Sequence, residues 1–117
     1  VRNNVRKAAW DEGVRLFEAG EYWACHEALE VPWLEAEGLE RSFLAGVILL
    51  AAALHKARAG ASPRGGRRNY AKALRHLALV PDHYRGVDVR ELEARVHAAL
   101  RDPDLRPRIP LLETEPP

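Results

Sequence analysis

FLAGVILLAAAL, Phe43 to Leu54, is the most apolar run in the chain, and the place of every other segment follows from it. Its twelve residues carry no charge and put apolar side chains at every angle around a helix, which describes a helix covered by protein on most sides. At about 1.5 Å per residue the run falls short of the roughly 20 residues needed to span a bilayer. It is therefore read as a buried central helix from about Leu39 to Ala59, closed by Gly60, with no membrane partner. Arg41 and His55 mark the two ends of this apolar rod.

Working outward toward the N-terminus, EYWACHEALEVPW (Glu21 to Trp33) places Tyr22, Cys25, Leu29 and Trp33 at i, i+3, i+7 and i+11, one face of a helix that should dock on the central one. Pro32 lacks a backbone donor, so this helix is expected to kink or end near Val31. Before it, Val5, Ala8, Ala9, Val14, Leu16 and Phe17 predict a helix from about Asn4 to Ala19, stopped by Gly20.

Toward the C-terminus, GASPRGGRR (Gly60 to Arg68) is rich in turn formers and predicts the longest internal loop. A fourth helix is predicted from about Asn69 to Val80, and a fifth from about Asp88 to Leu100 with Asp88 as N-cap. No strand pattern emerges. The chain reads as all-α, a compact bundle of about five helices around the central one, forming a single helical domain over residues 1–101. Residues 102–117 hold five prolines and predict an extended tail, pinned to the body by Ile109, Leu111 and Leu112.

An internal echo supports paired helical hairpins. Gly20, Tyr22, Cys25, Ala28 and Leu29 recur in type as Gly66, Tyr70, Ala73, Leu74 and Leu77, with Pro32 and Pro81 near the far ends. This is the look of a tetratricopeptide hairpin, although the 48 residues between Tyr22 and Tyr70 exceed the roughly 34 of a regular array.

Length and charge bound the function. A chain of 117 residues has room for one core. A single cysteine, Cys25, excludes an internal disulfide framework, and VRNNVRKAAW has no signal-peptide core, so a cytoplasmic location is expected. The net charge of +1 conceals segregation, with nine acids against Arg15 alone in residues 11–40, and eight Lys or Arg without an acid in residues 41–81. Neutralisation of acidic helices by basic ones accounts for this more simply than a nucleic-acid footprint.

Chemistry concentrates around His26. Glu30 lies one turn on, Glu27 is within reach of Glu30, and Trp23 shares the flank. The natural opposite numbers are Arg41 and His55, which occupy one face of the central helix with Ala45, Ile48 and Ala52 between them. Small Ala45 and Ala52 leave room for a shallow cleft. Such a cluster can serve only to satisfy its own hydrogen bonds and fix helix register. Tyr22 and Trp33 suit the core as well as ligand stacking, Cys25 faces inward, and His76, His83 and His97 are scattered without ligand spacing.

The combination of Phe17, Gly20, Glu21, Tyr22, His26, Glu27, Leu29, Glu30, Trp33, Arg41, Phe43, Leu44, Gly46 and His55 resembles the prokaryotic family known as domain of unknown function 309, over about residues 14–80. The resemblance implies a compact bundle of tetratricopeptide-like hairpins and brings no activity with it. The chain departs from the family's pattern at Ala45 and Leu49, where glutamines are common, and at Cys25 and Pro32.

Three readings follow. The first is a non-enzymatic module that binds a protein segment or small ligand through Tyr22, His26, Glu27, Glu30, Trp33, Arg41 and His55. The second is a hydrolase dependent on a divalent metal, with His26, Glu30 and His55 as ligands and Glu27 as base, because HEALE is half of an H-E-x-x-H motif. The third is nucleic-acid binding through the basic 41–75 stretch, which contains no known recognition motif.

Overall fold

Two leucines, each seated on a glycine of the preceding helix, organise the molecule. In the computed structural model, which describes residues 2–60 and 62–112 with side chains from Arg6 onward, the order is α1 (Arg2–Glu18), α2 (Tyr22–Glu35), α3 (Gly38–Arg58), α4 (Pro63–Leu77), β1 (His83–Tyr84), β2 (Val87–Asp88) and α5 (Val89–Arg101). Short connections make α1 and α2 one hairpin and α3 and α4 another, and α2 also packs on α3. Val5, Ala61 and residues 113–117, which entered the sequence reading, lie outside the described side chains or residues.

Leu29 of α2 and Leu77 of α4 are both fully buried. A methyl added at Gly13 of α1 would collide with Leu29, and one added at Gly46 of α3 would collide with Leu77. Each glycine is thus the hole for a knob on the next helix, which draws the backbones together. Tyr22, Cys25 and Leu29 match Tyr70, Ala73 and Leu77 at a constant offset of 48 residues, so the two hairpins repeat this packing.

α3 is the common partner of α2, α4 and α5. It buries Phe43, Leu44, Gly46, Val47, Ile48, Leu50, Ala51, Ala53 and Leu54. At 21 residues the whole helix is long and apolar enough to cross a membrane by length and composition, which the twelve-residue count understated. In this fold its apolar surface is spent on neighbouring helices.

The helix ends follow local chemistry, with two corrections to the sequence reading. α1 closes in a Schellman motif, where Glu21 N donates to Leu16 O (2.9 Å), Gly20 N donates to Phe17 O (3.0 Å), and Gly20 takes φ +78°. Asp88 caps α5 by accepting from Glu91 N at 3.1 Å. α2, however, does not end at Val31 but runs through Pro32 to Glu35. The lost hydrogen bond is offset by tertiary packing, because Pro32 is buried.

The second correction concerns Gly60 to Arg68, which is not a long loop. α4 starts at Pro63, with Ser62 capping Gly65 N at 3.1 Å and Pro63 in the first turn. Gly65 and Gly66 are buried helical residues rather than turn formers. A Cβ at Gly66 would stand 3.0 Å from Ala53 O and 3.1 Å from Ala57 Cβ, so the glycine permits close approach to α3.

The segment between α4 and α5 contains a minimal hairpin that no sequence pattern announced. Arg85 and Gly86 both take positive φ (54° and 74°), the requirement of a tight turn. Glu40 in the first turn of α3 holds this hairpin by accepting from Tyr84 Oη (3.0 Å) and pairing with Arg85. The tail then crosses back: Ile109 N donates to Glu18 Oε2 (3.1 Å), Asp88 N donates to Pro110 O (2.9 Å), and Leu112 N donates to Gly86 O (2.7 Å). Ile109 is buried, but Leu111 is 57% exposed and contributes a backbone bridge to Val87 instead of a side-chain anchor.

Replacing Gly46 by Ala should overpack the Leu77 contact and lower unfolding stability by roughly 1–3 kcal/mol. Chemical denaturation of Gly46→Ala, alone and with Leu77→Ala, checks this: the two costs should sum to more than the cost of the double variant, because the second change opens the space the first one fills.

Candidate functional site: a groove along α2, α3 and α4

The side of α2 that flanks its docking stripe faces a hollow rather than another helix. His26, Glu30 and Trp33 of α2, Ala45, Ile48 and Leu49 of α3, and His76 of α4 line a cavity of about 260 Å³. A second cavity of about 190 Å³ shares Trp33, Ala45 and His76 with it and extends past Gly38, Arg41 and Ser42. Together they form one groove with an aliphatic floor and polar walls.

His26 is positioned by helical spacing and by stacking. Its Nε2 lies 3.1 Å from Glu30 Oε1, and Trp23 lies over its ring at 4.7 Å with planes only 13° apart. The imidazole is largely buried, with 19% of its side chain exposed, whereas Glu30 is 47% exposed. The other ring nitrogen, Nδ1, is buried and has no hydrogen-bond partner among the described residues. Trp33 Nε1 is likewise buried and unpaired. Each buried polar atom left without a partner costs stability, about 1–3 kcal/mol by the usual desolvation penalty.

Arg41 closes the far end by a structural device. Its guanidinium lies 4.2 Å from the centre of the Trp33 ring, and its Nη1 donates to carbonyls at the end of α2, Trp33 O at 3.1 Å, which also accepts from Ala36 N, and Ala36 O at 3.4 Å. The positive charge also complements the negative end of the α2 dipole.

Of the seven residues singled out in the sequence, the structure brings His26, Glu30, Trp33 and Arg41 together in this groove. Tyr22 lies apart in the core, 5.5 Å edge-on to Phe17, with its hydroxyl buried and unpaired. Burial raises the Tyr22 phenol above its ordinary range, against the opposing pull of Arg58 and Arg106. Glu27 is exposed and outside the lining. His55 packs at 5.1 Å on Trp23, which touches both imidazoles, and does not reach the cavity. Among the described residues no group of three His, Cys, Asp or Glu side chains is placed to hold a metal ion, so the His26, Glu30 and His55 set is not assembled.

Sequence reasoning missed His76 and the floor residue Leu49. His76 looked like one of several scattered histidines. The signal that could have found it is its neighbour Leu77: once Leu77 is matched to Gly46, His76 must stand near Ala45. Both departures from the family pattern on α3, Ala45 and Leu49, line the groove and make its floor aliphatic.

Cys25 supplies no chemistry here. It is fully buried, and desolvation pushes its thiol up to about 12 from an ordinary 9.0.

Two helical hairpins, a closing fifth helix and a lateral groove define an all-α helical bundle with an amphipathic groove along its edge. The pattern of the family described as "Domain of unknown function (DUF309)" matches residues 10–76, and the chain belongs to that family. A crystal structure of a conserved hypothetical protein from Thermus thermophilus is 46% identical, with a TM-score of 0.71, covering 79% of this chain and 95% of that one. An uncharacterised protein from Aquifex aeolicus is 30% identical over 91 residues, covering 76% of this chain. This chain spans only 27% of that relative's length. The family assignment carries the fold and no activity.

Two measurements check the site's architecture. Arg41→Ala should lower stability by roughly 1–2 kcal/mol, and Arg41→Lys should recover only part of it, because an ammonium lacks the flat guanidinium that packs on the Trp33 indole while Nη1 reaches both carbonyls. Native Cys25 should resist Ellman's reagent until the chain is unfolded. Since its folded value is raised, the thiol's contribution is complete below about pH 9 and is lost as pH climbs toward about 12; the alkaline loss of stability should be shallower in Cys25→Ala.

Proposed function

We propose that the protein is a non-enzymatic binding module whose groove takes a short protein segment carrying an apolar side chain beside a basic one. The observation that carries this reading is the composition of the groove: an aliphatic floor of Ala45, Ile48 and Leu49 next to the half-exposed carboxylate of Glu30. An apolar side chain would fill the floor, and a Lys or Arg would meet Glu30, with exposed Glu27 one turn behind. The surface beside the groove is unusually apolar for an exposed helix face, with Trp23 50% and Leu34 67% accessible. Trp33 and Arg41 give one end the residue types that dominate protein recognition. A cytoplasmic site of action fits the single reduced cysteine.

Arrayed peptides pairing Leu or Ile with Lys or Arg, alongside charge-inverted versions, test this directly. The basic set should bind, and affinity should fall at least tenfold in Glu30→Ala and in Ala45→Leu, the second of which fills the floor without changing charge. Equal binding of acidic and basic peptides, or unchanged affinity in Ala45→Leu, would remove the groove as the binding site.

A further inference from the structure

The exposed face of α4, between the groove and α5, carries a different kind of surface. Arg64, Arg67, Arg68, Lys72 and Arg75 are all exposed, and none pairs with a carboxylate among the described residues. At about 100° per residue, Arg64, Arg68, Lys72 and Arg75 fall within about 80° of one another, a single stripe roughly 16 Å long. Three of the five crowd the first turns of the helix, where no acidic residue is present and the helix dipole is already positive. Among the described residues no carboxylate pairs with these cations to offset that repulsion; an anion lying along the stripe would.

Next to the stripe lies a cavity of about 550 Å³ between α4 and α5, lined by Pro63, Arg67, Tyr70, His97, Leu100 and Arg101. It contains two guanidinium groups, an imidazole and a phenol ring, and no carboxylate. Tyr70 is held in place by its hydroxyl, which donates to Glu93 O at 2.9 Å, and its ring centre lies 5.5 Å from that of His97. The Glu93 carboxylate is turned to Arg90 at 3.0 Å. Cations for phosphates beside flat rings for bases are the two parts of a single-strand binding surface.

We propose that the exposed face of α4 and the adjoining α4/α5 cavity bind a single-stranded nucleic acid, with the stripe tracking the phosphates and Tyr70 and His97 stacking a base. The stripe borders the α2/α3 groove at His76, whereas the α4/α5 cavity shares no lining residue with that groove. A fluorescein-labelled 12-nucleotide strand, followed by anisotropy against salt, tests it. Six phosphate contacts, from the five cations of α4 and Arg101, predict a log–log salt slope of about −4, using roughly 0.7 per contact for single strands. In Arg64→Gln/Arg68→Gln/Arg75→Gln the slope should shrink by about 2, and His97→Ala should weaken binding severalfold with the slope retained. These four side chains are exposed, and thermal melting confirms that the variants fold.

Absence of binding at low salt, or an unchanged slope in the triple variant, would overturn the proposal. So would competition by adenosine monophosphate or inorganic phosphate as effective, per phosphate, as the strand itself, since that would mark a small-anion site. Head-to-tail self-association that the triple variant abolishes, without strand binding, would assign the stripe to the acidic face of another copy and equally refute it.

Discussion

Everything in this molecule depends on the need to cover α3. A helix apolar around most of its circumference cannot face water, and its burial is the largest favourable term available to a chain of this size. Three other helices meet that need, and the closeness of two hairpins rests on Gly13 and Gly46, which receive Leu29 and Leu77. Where the covering is incomplete, on the edge between α2 and α4, small Ala45 leaves the groove. The candidate site is thus the part of the α3 surface that its neighbours fail to close.

The polar groups around that edge divide into structural and available ones. Arg41 is engaged by the end of α2 and by Trp33, and Glu40 is engaged by Tyr84 and Arg85, so both stabilise junctions between elements. His26 and Glu30 make only one pair, leaving the Glu30 carboxylate half exposed and His26 Nδ1 without a partner. The groove is distinguished from an ordinary surface depression by its aliphatic floor of Ala45, Ile48 and Leu49 beside the His26–Glu30 pair. On the exposed face of α4, cations without a carboxylate partner among the described residues form a second surface with a different chemistry.

The hydrophobic spacing of residues 22–33 and 43–54 and the Asp88 cap are local properties, so helix type and order were legible in the chain, whereas the end of α2 and the start of α4 were not. The His26–Glu30 contact was legible for the same reason, since four residues make one helical turn. Other features were ambiguous because one residue type serves two purposes. Gly65 and Gly66 suit a turn or a close helix contact, and only the proximity of Ala53 and Ala57 selects the second. Pro32 is expected to break a helix when hydrogen bonding is considered alone, yet α2 continues because the ring is buried.

The sequence by itself determined that α3 would be the core and that a polar cluster would form on α2, since both follow from the period of a helix. Only the tertiary structure decided which distant groups share a cavity. It placed His76 beside Trp33 and left His55 against Trp23, because rotation of one helix about its axis relative to another is set by long-range packing, here Leu77 against Gly46. It also decided that, among the described residues, the cations of α4 have no carboxylate partner, a matter of helix placement that spacing along one helix does not set.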